Sequence, residues 1–379
     1  MQFIDLAAQQ RGIRDRIDAR IATVLDHGQY IMGPEVKELE AALATFCGAK
    51  YCVSCANGTD ALHLALLAIG AGPGDAVLVP SFTFAATAEA PCLVGATPVF
   101  VDIDPASFNM DPTSLRRAIG KARVEGLTPK AVIAVDLFGL PADYPVIEEI
   151  AKSEGISLIC DSAQGWGGEI NGRKTGTFGD MTTTSFFPAK PLSCYGDGGA
   201  VFTDDAEIAT LLDSLRVHGK GSEKYDNVRI GTNSRLDTLQ AAILLEKLAL
   251  FPEEVEARQQ VAARYSQALA GTFVTPTVPK GCVSVWAQYT LKVPSEAARD
   301  ATREFLSERE VPTAVYYPRP LHQQSAYRNF PSDPEGLLEA ERAARTVFSV
   351  PMSAYLTQDD QDLVIAALLA AAESGTLDK

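Results

Sequence analysis

The spacing of apolar positions changes several times along the chain, and each change predicts an element. Ile13, Ile17, Ile21, Val24 and Leu25 recur at helical spacing between charged residues, which predicts a helix over 10–27. Gly33-Pro34 then breaks the chain ahead of a second helix, 35–46, acidic in its first turn. Short apolar runs follow at 51–55, 77–80, 98–101, 131–135 and 156–160, alternating with helical stretches such as 60–69 and 145–154. Lys152-Ser-Glu-Gly155 reads as a helix C-terminus with glycine just past its end. Strands alternating with helices in this way predict an α/β fold with a mostly parallel sheet covered on both faces. Asn171-Gly172, with glycines at 176 and 179, predicts a hairpin-like excursion. Two further strands, 181–187 and 200–203, flank a loop. His218-Gly219 ends a helix and leads into a polar segment, 220–227, expected to be a mobile or interface loop. A strongly apolar helix, 236–250, precedes a charged one, 253–269, and the boundary between a large domain (1–250) and a small one (251–379) is expected there. The remainder reads as a strand (285–293), a helix (297–307), a strand leading to Val315-Tyr-Tyr-Pro318, and helices at 335–346 and 358–372.

Composition narrows the functional classes. A chain of 379 residues with 46% hydrophobic and 21% charged residues is ordinary globular material. Its formal net charge of −15 argues against a nucleic-acid surface, which works by neutralising phosphates. There is no apolar run of membrane-spanning length and no charged-then-apolar N-terminal signal. The seven cysteines are odd in number and irregularly spaced, which fits a reducing cytoplasm, so a cytoplasmic protein away from the membrane is expected. Cys52-x-x-Cys55 lies in a strand-like stretch without a second pair to complete a zinc site, and is expected to be buried structural thiol.

The loop between the strands at 181–187 and 200–203 holds the candidate chemistry. Lys190 stands between Pro188 and Pro191, among small and aromatic residues, ahead of Gly196-Asp-Gly-Gly199. Prolines on both sides place it on a loop. Desolvation there lowers an ammonium pKa and yields the neutral amine that Schiff-base chemistry needs, although a surface lysine between strands has the same spacing. Ile156-Ser-Leu-Ile-Cys-Asp161 is an apolar run ending in an acid, followed by Ser162-Ala-Gln164. Ligands of open α/β sheets sit beyond the carboxyl ends of strands, so Asp161 is placed to reach a cofactor or, more simply, to cap the next helix. Ala56-Asn-Gly58-Thr59 is a small-residue turn opening a helix, a site that offers N–H groups to a phosphate. Phe84 follows the strand at 77–80 and reads equally as core packing.

Asp161-x-x-Gln164, Ser185-x-x-x-x-Lys190, Gly196-Asp-Gly-Gly199 and Gly231-x-Asn233-x-Arg235 together resemble the DegT/StrS family of nucleotide-sugar aminotransferases, over nearly the whole chain. The resemblance implies fold type I of the pyridoxal 5′-phosphate (PLP) enzymes, with a large domain around a mostly parallel seven-stranded sheet and a smaller C-terminal α/β domain. It implies that Lys190 carries PLP as a Schiff base and moves the proton, and that Asp161 keeps the pyridine nitrogen protonated. Gln164 would contact the ring hydroxyl and Phe84 would stack on the ring. Gly58, Thr59 and Ser185 would hold the phosphate, joined by Asn233 from a second subunit of a homodimer; Asn233 could instead cap its own helix. Gly28, Tyr30, Arg235, Tyr316 and Tyr317 would line the sugar site. His27 to Val36 and Asn233 to Ile243 are similar to the subgroup that aminates C3 of UDP-2-acetamido-2-deoxy-3-oxo-hexuronic acids, with glutamate as donor, for bacterial surface polysaccharides. Aspartate in Gly196-Asp-Gly-Gly199 fits that subgroup. Tyr316 departs from it, since such relatives carry His-Tyr-Pro there; His322, on the same loop, either compensates or is a surface histidine. A dTDP-linked 3-oxo- or 4-oxo-6-deoxyhexose is the alternative acceptor. A PLP sugar dehydratase is disfavoured because Lys190 is present, and a catalytically silent homologue because Asp161, Gln164, Ser185 and Lys190 are all intact.

Overall fold

A computed structural model describes residues 1–223 and 225–379. Helix α1 (Leu6–His27) and α2 (Pro34–Cys47) precede strand β1 (Tyr51–Cys55) and α3 (Gly58–Ala68). Then come β2 (Asp75–Pro80), α4 (Ala86–Leu93), β3 (Thr97–Val101), α5 (Pro112–Val124), β4 (Thr128–Val135), α6 (Tyr144–Glu154) and β5 (Ser157–Asp161). A small hairpin, β6 (Glu169–Ile170) and β7 (Arg173–Lys174), leads to β8 (Met181–Ser185), β9 (Gly199–Thr203) and α7 (Ala206–Leu215). The chain continues through α8 (Thr238–Leu248), α9 (Phe251–Leu269), β10 (Cys282–Val283), β11 (Tyr289–Lys292) and α10 (Glu296–Ser307). It ends with α11 (Leu338–Thr346), β12 (Val347–Val350) and α12 (Gln358–Glu373).

Seven strands form one sheet in the order β1-β9-β8-β5-β4-β2-β3, with only β9 running against its neighbours. The connection from β2 to β3 runs towards one edge, while β4, β5 and β8 build towards the other. The chain therefore reverses its winding between β2 and β4, and in open α/β sheets ligands sit beyond the strand ends near such a reversal. The apolar runs of β2, β4 and β5 are buried on both faces, as a sheet covered by helices on both sides requires. Turn chemistry fixes the smaller features: Asn171 and Gly172, both at positive φ, turn the β6–β7 hairpin as their sequence predicts.

Two expectations change. The strand expected over 285–293 is confined to Tyr289–Lys292. Trp286 takes a left-handed φ of 51°, and the N–H groups of Val285 and Gln288 donate to the carbonyls of Gly139 and Phe138 instead of a ladder. The strand expected up to Pro318 is reduced to one bridge, Ala314 to Ser349, while β12 appears directly after the helix expected at 335–346, where no strand was expected. The apolar character of α8 also has a local cause. Ala241 and Leu244 pack into a core with α2 and Phe251, and Ile243 packs on Ile13 and Ile17 of α1. No second chain is needed to cover that helix. Of the polar segment 220–227, Lys220 bridges to Asn227, and Lys224 lies outside the described residues.

Arg216, just after α7, is buried at 3% exposure and ties three elements together. Its guanidinium bonds Glu40 of α2, Asp213 of α7 and, at 2.7 Å, the Ser54 carbonyl of β1. Its own carbonyl accepts the Ser234 N–H at 2.9 Å. Removing one partner of a buried pair strands the other charge, so Arg216→Ala should cost about 3 kcal/mol in equilibrium urea unfolding. A loss below about 1 kcal/mol, the worth of an exposed pair, would show that these contacts are solvated.

Candidate functional site

Register sets the first level of the site. Val135, Asp161 and Thr183 lie abreast on β4, β5 and β8, and Ser185, Gly199 and Cys55 lie abreast on β8, β9 and β1. The loops leaving β1, β5 and β8 therefore rise from one edge of the sheet. Asp161 is 6% exposed at the end of β5. Its carboxylate accepts the Ala163 N–H at 3.1 Å and the Thr87 hydroxyl at 3.4 Å. Burial raises its pKa, and the Ala163 N–H, the Lys190 charge and the Thr87 hydroxyl oppose that rise.

Lys190 stands on a loop closed at its base. The Phe186 N–H donates to Gly198, the Cys194 N–H to Phe186, and the Lys190 N–H to Phe187 at 2.8 Å. Burial lowers the pKa of its ammonium, and the Asp161 charge pulls it back up. At a given pH Lys190 thus carries more neutral amine than a free lysine, while the Asp161 charge opposes that shift.

A second level surrounds these two groups. Asn57 caps α3, its side chain accepting the Asp60 N–H at 2.8 Å. That leaves the N–H groups of Gly58 and Thr59 outside the helical ladder. A Cβ on Gly58 would stand 2.7 Å from the Ser185 Cβ and 3.2 Å from its Oγ, so only glycine lets the helix start come this close to the serine. Backbone donors, a positive helix end and a hydroxyl form a cradle suited to a phosphate. Gln164, 4% exposed, accepts the Phe138 N–H at 3.0 Å and donates to the Tyr317 hydroxyl at 3.2 Å. Phe84 is 57% exposed, which excludes the core-packing alternative; its ring centre lies 6.4 Å from that of Tyr317. Tyr316 packs edge-on against Tyr317 at 6.0 Å.

Gly28, Tyr30, Asn233 and Arg235 form a separate group. The Tyr30 carbonyl accepts the Thr238 N–H, Ile31 bridges Asp237, and Asn233 bridges Val217. Asn233 and Tyr30 are exposed and Arg235 is half-buried. The N-cap of α8 is Asp237, so Asn233 does not cap that helix. Cys52 and Cys55 are buried, and burial pushes both thiols up. Asp136 was not singled out in the sequence, because a lone acid after an apolar run has the look of a cap. It is fully buried beside the site, accepts the Ser162 and Tyr144 hydroxyls at 2.5 Å each, and is pushed up to about 7 by burial. Gly165 leaves room for it, since a Cβ there would meet the Asp136 Cβ at 2.3 Å.

The residues present fit PLP: a desolvated amine for its aldehyde, a buried carboxylate for its pyridine nitrogen, and the Gly58–Ser185 cradle for its phosphate. Comparison with known proteins agrees. The chain is 48% identical over 371 residues to the UDP-2-acetamido-2-deoxy-3-oxo-D-glucuronate aminotransferase of Pseudomonas aeruginosa, covering 97% of this chain and 99% of that one. A DegT DnrJ EryC1 StrS aminotransferase from Brucella abortus superposes with a TM-score of 0.96 at 50% identity, covering 98% and 99% of the two chains. NtdA from Bacillus subtilis, solved with the cofactor PMP, superposes at 0.88 with 29% identity, covering 98% of this chain and 85% of that one. A family model matches residues 12–369. The chain thus belongs to the DegT/DnrJ/EryC1/StrS aminotransferase family, whose enzymes depend on PLP.

Proposed function

We propose that the protein moves an amino group from glutamate to C3 of a UDP-linked 2-acetamido-2-deoxy-3-oxo-hexuronic acid, as a cytoplasmic step in making a surface-polysaccharide precursor. The observation that carries the chemistry is that Asp161, buried at the end of β5, and Lys190, on the loop after β8, lie in each other's field. The 48% identity to the Pseudomonas aeruginosa enzyme supports the acceptor. When bound, PLP supplies an electron sink for the carbanion formed as a proton leaves the amino-bearing carbon. Lys190 Nζ takes and returns that proton. Asp161 would hold the pyridine nitrogen protonated, Gln164 would orient the ring hydroxyl, Phe84 would cover the ring face, and Gly58, Thr59 and Ser185 would bind the phosphate. Tyr30, Tyr316 and Tyr317 would wall the sugar. Arg235 would meet a sugar carboxylate or diphosphate, for which its forked donors are suited.

The active site is proposed to be shared in a homodimer. Asn233 is exposed, and exposed apolar side chains flank its loop and the lysine loop: Ile31, Phe187, Val228 and Ile230, the last at 92%. In a two-fold dimer the Gly231-x-Asn233-x-Arg235 loop would reach the neighbouring phosphate cradle, with Gly28 beside it. We also take the chain to divide near residue 250. A core from Val261 to Leu368 is separate from the others, although Leu321 and residues 337–347 pack against the large sheet's core.

Two measurements test these readings. The enzyme given glutamate and a panel of UDP- and dTDP-linked keto sugars should aminate the UDP-3-oxo-hexuronate, with the new C3–N bond located by NMR. Preferred turnover of a dTDP-4-oxo-6-deoxyhexose would replace that acceptor with the alternative. For the shared site, Lys190→Ala and Asn233→Ala chains, each nearly inactive alone, are mixed. One site per mixed dimer keeps both residues, so each mixed dimer should show about half of the normal dimer activity, about a quarter over a random equimolar mixture. No recovery, with mixed dimers confirmed by mass, would mean that Asn233 serves its own chain.

A further inference from the structure

His322 is not a surface histidine, its side chain being 18% exposed. It lies in a single helical turn, Leu321–Gln323, five residues after Tyr317, and is hydrogen-bonded on both ring nitrogens. Nδ1 stands 2.6 Å from the hydroxyl of Ser81, and Nε2 stands 3.1 Å from the carboxylate of Glu341. Glu341 can only accept, so in the neutral ring Nε2 carries the proton and Nδ1 accepts from Ser81. The three residues come from separate parts of the chain. Ser81 ends β2, His322 follows the tyrosine pair, and Glu341 is on α11. A second bond runs beside the first, from the Leu321 N–H to the Ser81 carbonyl at 2.8 Å.

Both ends of this relay are fixed to the sheet. Ser81 is fully buried, and its N–H donates to Val101 at the end of β3 at 2.9 Å. The start of α11 is held by Asp102, whose carboxylate accepts the N–H groups of Glu339 and Ala340. What the relay spans is the two walls of the cofactor cleft. On one side the turn after Ser81 carries Phe82, Phe84 and then Thr87, whose hydroxyl reaches Asp161. On the other is Tyr317, bonded to Gln164 and packed on Phe82 with ring centres 6.0 Å apart.

We propose that Ser81, His322 and Glu341 form a clip that sets the gap between Phe84 and Tyr317, making His322 a positioning residue for the cofactor ring. The clip rests on the reading of Phe84 and Tyr317 as ring contacts, and it adds a role to a loop that carries no reacting group. Position enters through distance: a cleft wall displaced by 1 Å loses much of its contact with a flat ring.

The test uses full-length apoprotein titrated with PLP, followed by absorbance and by the circular dichroism of the bound cofactor, with Phe84→Ala as the benchmark. His322→Ala and Ser81→Ala should each raise the PLP dissociation constant at least about fivefold and alter the dichroic band, the loss of one buried hydrogen bond. The double variant should be no worse than His322→Ala, because the two residues act as a unit. His322→Asn keeps an acceptor at the Nδ1 position and should recover part of the loss. Ser81→Ala removes one oxygen only and decides the matter if His322→Ala does not fold. A lower apoprotein melting temperature with unchanged cofactor affinity and dichroism would make the relay a fold contact and overturn the clip. If Phe84→Ala weakens PLP while the clip variants do not, the clip alone is wrong. If Phe84→Ala also leaves affinity unchanged, the reading of Phe84 falls and the clip falls with it.

Discussion

The carboxylate of Asp161, buried at the end of β5, and the half-buried amine of Lys190, on the loop after β8, lie in each other's field. Burial raises the pKa of Asp161 and lowers that of Lys190, and each charge works against the other's shift. Left alone, such a pair is a weak source of stability, because desolvation offsets much of the attraction. A cofactor that brings an aldehyde to the amine and a basic ring nitrogen to the acid meets both needs. The site is thus held in a state that favours its ligand, and the surrounding structure supplies the rigidity to keep it there.

That rigidity comes from register and from a few glycines. The pairing of Ser185, Gly199 and Cys55 across three strands brings the start of α3 to the lysine loop. Gly58 permits contact with Ser185, and Gly165 permits contact with Asp136. Asp136 adds a buried acceptor that gathers Ser162, Tyr144 and Ala142 beneath Asp161. Arg216 then links the sheet edge to the Asn233 loop, so that this loop is attached to the same frame.

Much of this was legible in the chain because it was local. The strands ending at Cys55, Pro80 and Asp161 announce themselves by short apolar runs, and Lys190 by its flanking prolines and the glycines that follow. What escaped depends on partners far away in sequence. The stretch 285–293 has strand-forming residues, but Gly139 and Phe138 offered its backbone other acceptors. The apolar face of α8 is covered by α1 and α2, which lie some two hundred residues away in sequence. Asp136 and His322 show the same limit, since neither has a neighbour in sequence that reveals its bonds to Tyr144 and Ser162, or to Ser81 and Glu341. Tyr316 takes the place of a histidine in the resembled subgroup, and its ring lies against Tyr317 and Phe3.

The central claim is that Lys190 is the amine that holds the cofactor. Borohydride reduction of the purified, PLP-loaded enzyme, followed by digestion and mass mapping, locates the bond directly. The pyridoxyl group should appear on the peptide containing Lys190, the yellow colour should be lost on reduction, and Lys190→Ala should show no covalent adduct. A pyridoxyl group on any other lysine, with Lys190 unmodified, would contradict the account.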